Sequence, residues 1–123
     1  MNEYPQSMEQ IRSHLRKVYN LDADRIQALL PDFLLALCSY LDEMETALTG
    51  SSREDLARAA HRVKGALANL GLRELAKDAR VIEQLARQKD RAGTDREITG
   101  QVRDLVKEVR ILAGRDLSRA DSL

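Results

Sequence analysis

The sequence predicts an all-α protein, an antiparallel four-helix bundle with an additional N-terminal helix. The composition favours helices, because Ala, Leu, Glu, Lys and Arg dominate while aromatic residues make up only 3% of the chain. Apolar residues recur at helical spacing through four long segments. Short polar stretches separate these segments, and short connections indicate that consecutive helices run antiparallel.

The N-terminal helix is marked by Ser7, which begins the spacing of a capping box. Its apolar positions are Ile11, Leu15 and Val18. We expect this helix to end near Asn20. His14 lies between polar neighbours, so we interpret it as a solvated residue on the polar side of the helix.

The second helix is predicted to begin at Asp22 or Asp24, either of which can cap it, and to end at Gly50. Pro31 falls inside this segment, where it removes one hydrogen-bond donor, so we expect a kinked but nearly continuous helix. Its apolar stripe comprises Ile26, Leu30, Phe33, Leu37, Leu41, Met44 and Leu48.

Three further helices follow. The third should begin at the cap Ser52 and stop at Gly71, and the fourth should cover about 72–90. The fifth, opened by a capping box of Thr94 and Glu97, should run to about residue 113. Residues 114–123 show no clear periodicity, and we expect this tail to fray. A two-chain coiled coil is disfavoured, because these loops interrupt the heptads.

The length of 123 residues suits one domain, residues 1–123, with a bundle core of about 22–113. Lys and Arg total 20, as do Asp and Glu, so the net charge of zero does not favour a nucleic-acid partner. The sequence contains neither a long apolar run typical of a membrane span nor a signal-peptide pattern at its start.

Cys38 is the one cysteine of the chain, so it cannot form an internal disulfide. We expect Cys38 to be a small core residue. We also expect the protein to be in a reducing, cytoplasmic setting.

His61 is predicted to point away from the core of the third helix. On a helical wheel, the apolar residues of this segment lie roughly 100° to 180° from His61. They are Leu56, Ala60, Val63, Leu67 and Leu70. A lone histidine on a helix is commonly a core residue, but this periodicity places the imidazole toward solvent.

Small residues surround His61 on the same face. Ala57, Gly65 and Ala68 are its near neighbours, one or two turns away, and Lys64 lies one turn on. The flanking positions are Arg58, Arg62 and Asn69. Gly65 costs the helix about 1 kcal/mol relative to Ala. A clearing around an exposed imidazole accounts for that cost if another protein must bring a group close to the ring.

The chemistry open to His61 is narrow. A zinc site needs three or four ligands, whereas the chain has two histidines and one cysteine, widely separated. A nucleophile activated by histidine requires a pocket, which we do not expect on a bundle face. His61 itself remains as a nucleophile that can attack phosphorus, with Lys64 stabilising the phosphoryl charge and Gly65 leaving steric clearance.

The stretch AHRVKGALANLGLRELAKDARVIEQL resembles the histidine-containing phosphotransfer (HPt) domain family. The matching residues are Ala60, His61, Val63, Lys64, Gly65, Leu70, Gly71, Leu75 and Glu83. The resemblance extends roughly from the second helix to the fifth. Leu67 departs from the family pattern, which usually has Ser or Ala there, but Leu67 falls on the core face and should affect packing only.

The resemblance implies a phosphocarrier in a multistep two-component phosphorelay. His61 would accept a phosphoryl group from an aspartate of a receiver domain, in a response regulator or hybrid sensor kinase, and pass it to another receiver. The chain would have no kinase activity and no cofactor of its own, because Mg²⁺ belongs to the receiver. The surface around His61, with Ala57, Arg58, Arg62, Ala68 and Asn69, would bind the partner. The family is mostly monomeric, which favours a monomer.

Two other functions fit parts of the sequence. A non-catalytic helical bundle that binds another protein would make His61 and Lys64 ordinary surface residues. The phosphoacceptor domain of a sensor kinase is disfavoured, because its histidine is usually followed by an E-L-R-x-P-type sequence, which is missing after His61. The sequence leaves open whether the chain is a free-standing carrier or a fragment of a hybrid kinase.

Overall fold

The computed structural model describes residues 7–50, 52–88 and 94–121, and the side chains of 8–50, 52–88 and 95–112. This part of the chain contains five helices and no strand, which confirms the all-α prediction. The helices are α1 (Ser7–Val18), α2 (Ala23–Thr49), α3 (Arg53–Asn69), α4 (Arg73–Arg87) and α5 (Thr94–Asp121). None of the described helices combines the length and apolar character needed to span a membrane.

The helix ends follow the predicted caps where the structure describes them. The Asp22 carboxylate accepts a hydrogen bond of 2.8 Å from the amide of Arg25, and Ser52 caps α3 in the same way. At the end of α3, Gly71 adopts a φ of 78° and its amide bonds to the carbonyl of Ala68. This turn is a Schellman motif, which favours glycine because a side chain strains the left-handed backbone.

Helices α2 to α5 form a closed ring in which each helix packs against its neighbours in the chain and α5 returns to α2. One cavity is lined by the end of α2 and the beginnings of α3 and α5, so α2 and α5 run antiparallel. The prediction of a four-helix bundle is therefore confirmed. Helix α2 passes through Pro31 without a break, and Cys38 is half-buried at the edge of the core.

The apolar stripe of α2 differs from its prediction at one position. Leu34 is fully buried, whereas Phe33 lies at the surface. Both residues are spaced correctly from Leu30, three and four positions on, so periodicity alone does not choose between them. Packing against the neighbouring helices determines which of the two residues is buried. Phe33 lines a surface groove together with residues of α3.

Helix α1 covers the end of the bundle where α3 turns into α4. Ile11 and Leu15 are buried, and the side-chain amide of Gln10 donates a hydrogen bond of 3.0 Å to the carbonyl of Gly71. His14 packs directly over Gly71: a Cβ atom there would lie 2.5 Å from the imidazole Cγ. The interpretation of His14 as solvated is therefore wrong, because the absent side chain of Gly71 makes room for its ring.

The C-terminal boundaries also differ from prediction. Helix α4 ends at Arg87 rather than near residue 90, and residues 89–93 of the polar stretch 87–93, which the sequence predicts as a connection, lie outside the described residues. Helix α5 continues to Asp121, so the predicted end near 113 is wrong, whereas fraying of this tail stays a prediction. Helix α5 contains no proline, and Gly114, close to the predicted end, does not by itself end a helix. The side chain of Thr94, a predicted cap, lies outside the described side chains.

Candidate functional site

His61 projects from the outward face of α3. Its side chain is 62% exposed, although the neighbouring Ala60 and Val63 are fully buried. Leu67 is also buried, as its place on the core face predicts. The helical periodicity of the sequence therefore assigned the correct face to the histidine.

Glu83 on α4 forms the centre of a polar cluster around His61. Its side chain is only 11% exposed, and its Oε2 atom lies 3.1 Å from Nδ1 of His61. Lys64 donates a hydrogen bond of 3.0 Å to Oε1, and Arg87 donates one of 3.1 Å to Oε2. The carboxylate therefore joins the histidine of α3 to cations from both helices.

Glu83 carries a negative charge at neutral pH. Burial favours the neutral acid and raises the pKa, but hydrogen bonds from Lys64 and Arg87 and the nearby charges of Lys64 and His61 lower it. The cations outweigh burial, and the net pKa of Glu83 lies below its ordinary value. An ionised carboxylate in this position can only accept hydrogen bonds.

The charge on Glu83 determines the tautomer of His61. In the neutral imidazole, because the carboxylate accepts at Nδ1, the hydrogen-bond network assigns the one ring proton to that nitrogen. The other ring nitrogen, Nε2, then keeps its lone pair. An outward imidazole with a free Nε2 is a nucleophile positioned on the surface of the bundle.

The surface beside His61 is open above Gly65. A Cβ atom added to Gly65 would meet no heavy atom within 4 Å, so the glycine leaves free space next to the ring. Ala68 and Asn69 are exposed on the same stretch of α3, as predicted. The solvent-facing surface of α3 next to His61 therefore contains two small residues, Gly65 and Ala68.

Ala57 does not belong to this exposed surface. It is only 1% exposed, so its predicted place in the partner-binding surface is wrong. Arg53, one turn before Ala57, donates a hydrogen bond to the carbonyl of Leu85 on α4. Helix α4 covers this side of α3, and the small side chain of Ala57 fits beneath it.

The two predicted flanking arginines are exposed and form ion pairs. Arg58 lies 3.5 Å from Glu54 and 3.6 Å from Asp55 of its own helix. Arg62 donates a hydrogen bond of 2.7 Å to Glu43 of α2. Exposed pairs of this kind are weak, so both arginines can exchange partners when another protein approaches.

An apolar groove of about 710 Å³ lies beside His61, between α3 and the paired helices α1 and α2. This corrects the expectation that the bundle face lacks a pocket. Tyr19, Phe33 and Tyr40 line it, together with His61 and Gly65. These are all the tyrosine and phenylalanine residues within the described part of a chain that contains four. Aromatic side chains of this kind are enriched at protein interfaces.

Sequence reasoning missed three features of the site: the role of Glu83, the participation of Arg87 and the aromatic groove. Glu83 and Arg87 are four positions apart on α4, a spacing that brings side chains together on a helix. That spacing could have indicated the pair. The groove left no comparable signal, because its residues come from helices far apart in the chain.

Within the described residues, no three His, Cys, Asp or Glu side chains come together in a way that could hold a metal ion. The fold and the site define a class: a helical bundle that presents an exposed histidine, hydrogen-bonded to a carboxylate, beside an apolar groove. Residues 28–111 match the family model of the Hpt domain, and the chain belongs to that family. Members of the family transfer phosphoryl groups through histidine in phosphorelays. Comparison with curated proteins and with solved structures finds no match to the chain.

Proposed function

We propose that this protein is a histidine phosphocarrier, which accepts a phosphoryl group from a receiver-domain aspartate on Nε2 of His61 and passes it to another receiver. One observation carries the assignment to this residue and atom. The Glu83 carboxylate engages Nδ1 of His61 and leaves Nε2 without this partner, while Gly65, one turn on along α3, leaves open space on the same helix.

The transfer requires no proton movement on this chain. The lone pair of Nε2 attacks the phosphorus of the aspartyl phosphate, so that an N–P bond forms as the acyl O–P bond breaks. The aspartate carboxylate leaves with the electron pair of that bond. In the second transfer, a carboxylate oxygen of the next receiver attacks the phosphorus, the N–P bond breaks, and its electron pair returns to Nε2.

The neighbours of His61 fit the charges that this reaction creates. Attack by neutral imidazole leaves a positively charged ring, and the Glu83 carboxylate, 3.1 Å from Nδ1, stabilises it. Lys64, on the same face, supplies a positive charge for the phosphoryl oxygens. Mg²⁺ and the remaining catalytic groups belong to the receiver, so this chain acts as a phosphotransfer intermediate without kinase activity.

The apolar groove suits the partner that the family requires. A receiver that delivers its phosphoryl group to His61 must also cover the groove, because His61 and Gly65 form part of its lining. Arg58 and Arg62 flank the approach, while Ala68 and Asn69 extend the surface along α3. We expect the protein to act as a monomer in the cytoplasm and to dock one receiver at a time on this face.

The test is incubation with a receiver carrying a labelled aspartyl phosphate in the presence of Mg²⁺. The protein should gain an acid-labile, base-stable phosphoryl group, and the His61→Gln variant should gain none. His14→Gln is the matched control, because His14 is the other histidine and is not among the residues that line the groove. Circular dichroism verifies that both variants are folded. Absence of label on the wild type, or equal labelling of His61→Gln, would refute the proposal.

The aromatic groove also supports a second function, a non-catalytic interaction module. Such a protein would bind its partner through Tyr19, Phe33 and Tyr40 without using the histidine. The two functions differ in the labelling measurement. A module would bind its partner but would never acquire label from a phosphorylated receiver.

A further inference from the structure

Two cations bind the Glu83 carboxylate from different helices. Lys64 comes from α3, the helix of His61, and bonds to Oε1, whereas Arg87 comes from α4 and bonds to Oε2. Oε2 is also the oxygen that engages His61. Arg87 therefore holds the oxygen that orients the ring, and Lys64 holds the other.

We propose that Arg87 is a positioning residue, which keeps Glu83 on Nδ1 of His61 when Lys64 turns toward the phosphoryl group. This inference rests on the proposed function. Lys64 cannot give its full charge to both acceptors, and its side chain is 31% exposed, so it has room to move outward. Arg87 makes its contact on the other oxygen and does not need to move.

The charges of the phosphorylated site require the second cation. A phosphoryl group on Nε2 brings a charge of about −2 at neutral pH, and Glu83 adds another negative charge. The phosphorylated ring, Lys64 and Arg87 together supply three positive charges, which balance them. Without Arg87, the site would carry a net negative charge, and once Lys64 turns to the phosphoryl group the ring alone would hold the Glu83 carboxylate.

The orientation of the ring depends on this anchor. If Glu83 leaves Nδ1, the imidazole can rotate about its side-chain bonds, and the phosphorus is no longer held in line for the next receiver. The expected consequence is confined to the phosphorylated state. In the unphosphorylated protein, Lys64 still holds Glu83 in place when Arg87 is replaced.

The experiment compares Arg87→Ala with Arg87→Lys and with Arg103→Ala, which removes the same charge from an exposed position of α5. ¹⁵N–¹H NMR of the His61 ring reports the Nδ1–H signal before and after phosphorylation by a phosphorylated receiver. Transfer kinetics to a second receiver give kcat and KM separately. Circular dichroism and thermal unfolding check the fold of each variant.

We expect the unphosphorylated Arg87→Ala variant to retain the Nδ1–H signal. After phosphorylation, the signal should exchange faster with water, and kcat should fall about fivefold, in keeping with one half-exposed ion pair. KM for the receiver should not change, because Arg87 acts on the ring rather than on docking. Arg87→Lys should recover part of kcat, and Arg103→Ala should behave as the wild type.

Two results would overturn the inference while leaving the phosphocarrier function intact. One is a phosphorylated Arg87→Ala variant with the ring signal and kcat of the wild type. The other is an equal fall in kcat for Arg103→Ala, which would indicate a general effect of charge. If the wild type is never phosphorylated on His61, the proposed function fails and this inference fails with it.

Discussion

Substitution of Gly65 should affect phosphoryl transfer and stability in opposite directions, which allows the two roles of this residue to be measured separately. Replacement by alanine places a methyl group where no heavy atom lies within 4 Å, so it causes no clash in the isolated chain. Because glycine costs a helix interior about 1 kcal/mol relative to alanine, Gly65→Ala should raise the free energy of unfolding by about that amount. For a domain of this size, the melting temperature should rise by roughly 4 °C.

Gly100 provides the matched control, because it also lies inside a helix with nothing within 4 Å of an added Cβ. Gly65→Ala and Gly100→Ala should stabilise the protein similarly in urea denaturation. Only the substitutions at Gly65 should slow phosphoryl transfer, with Gly65→Gln slower than Gly65→Ala, because the longer side chain obstructs the receiver. If all three variants transfer as fast as the wild type, Gly65 has no role in steric clearance.

Three further predictions follow from the site and the turn beside it. Lys64→Ala should slow phosphoryl transfer while circular dichroism shows an intact helical fold; unfolding of the variant would mean that Lys64 acts mainly as a structural residue. Glu83→Gln should lower stability at neutral pH by about 1–2 kcal/mol. Since the pKa of Glu83 is lowered in the fold, this advantage of the wild type should be present above the ordinary value of 4.5 and disappear as the pH falls below it. Urea melts across this pH range test the prediction, which a constant difference between the two proteins would contradict. Gly71→Ala should destabilise the protein by at least about 1–2 kcal/mol, the cost of a left-handed backbone, because the new Cβ also collides with His14; unchanged stability in urea would show that the turn relaxes freely.

Local signals in the sequence were sufficient for most helix boundaries. The caps Asp22 and Ser52 and the stop at Gly71 are each formed by residues within a few positions of one another, so chain proximity alone determines them. The outward face of His61 follows equally from the periodicity of its own helix. These features need no knowledge of which helix packs where.

Other features depended on contacts between helices. Ala57 and Gly65 lie on either side of His61 and look equivalent on a helical wheel, yet α4 covers the first and leaves the second open. Phe33 and Leu34 compete for the same stripe, and only packing assigns one to the core and the other to the groove. His14 appeared solvated because its partner, Gly71, is far away in the chain.

The sequence by itself determined the helices, the bundle and the histidine at its surface, because these depend on local spacing and on the burial of apolar residues. Only the tertiary structure decided how that histidine is prepared for chemistry. The Glu83 carboxylate reaches His61 from a different helix, and its charge survives near-complete burial because Lys64 and Arg87 converge on it. The energy of such a cluster falls steeply with distance, so it exists only where packing brings α3 and α4 together.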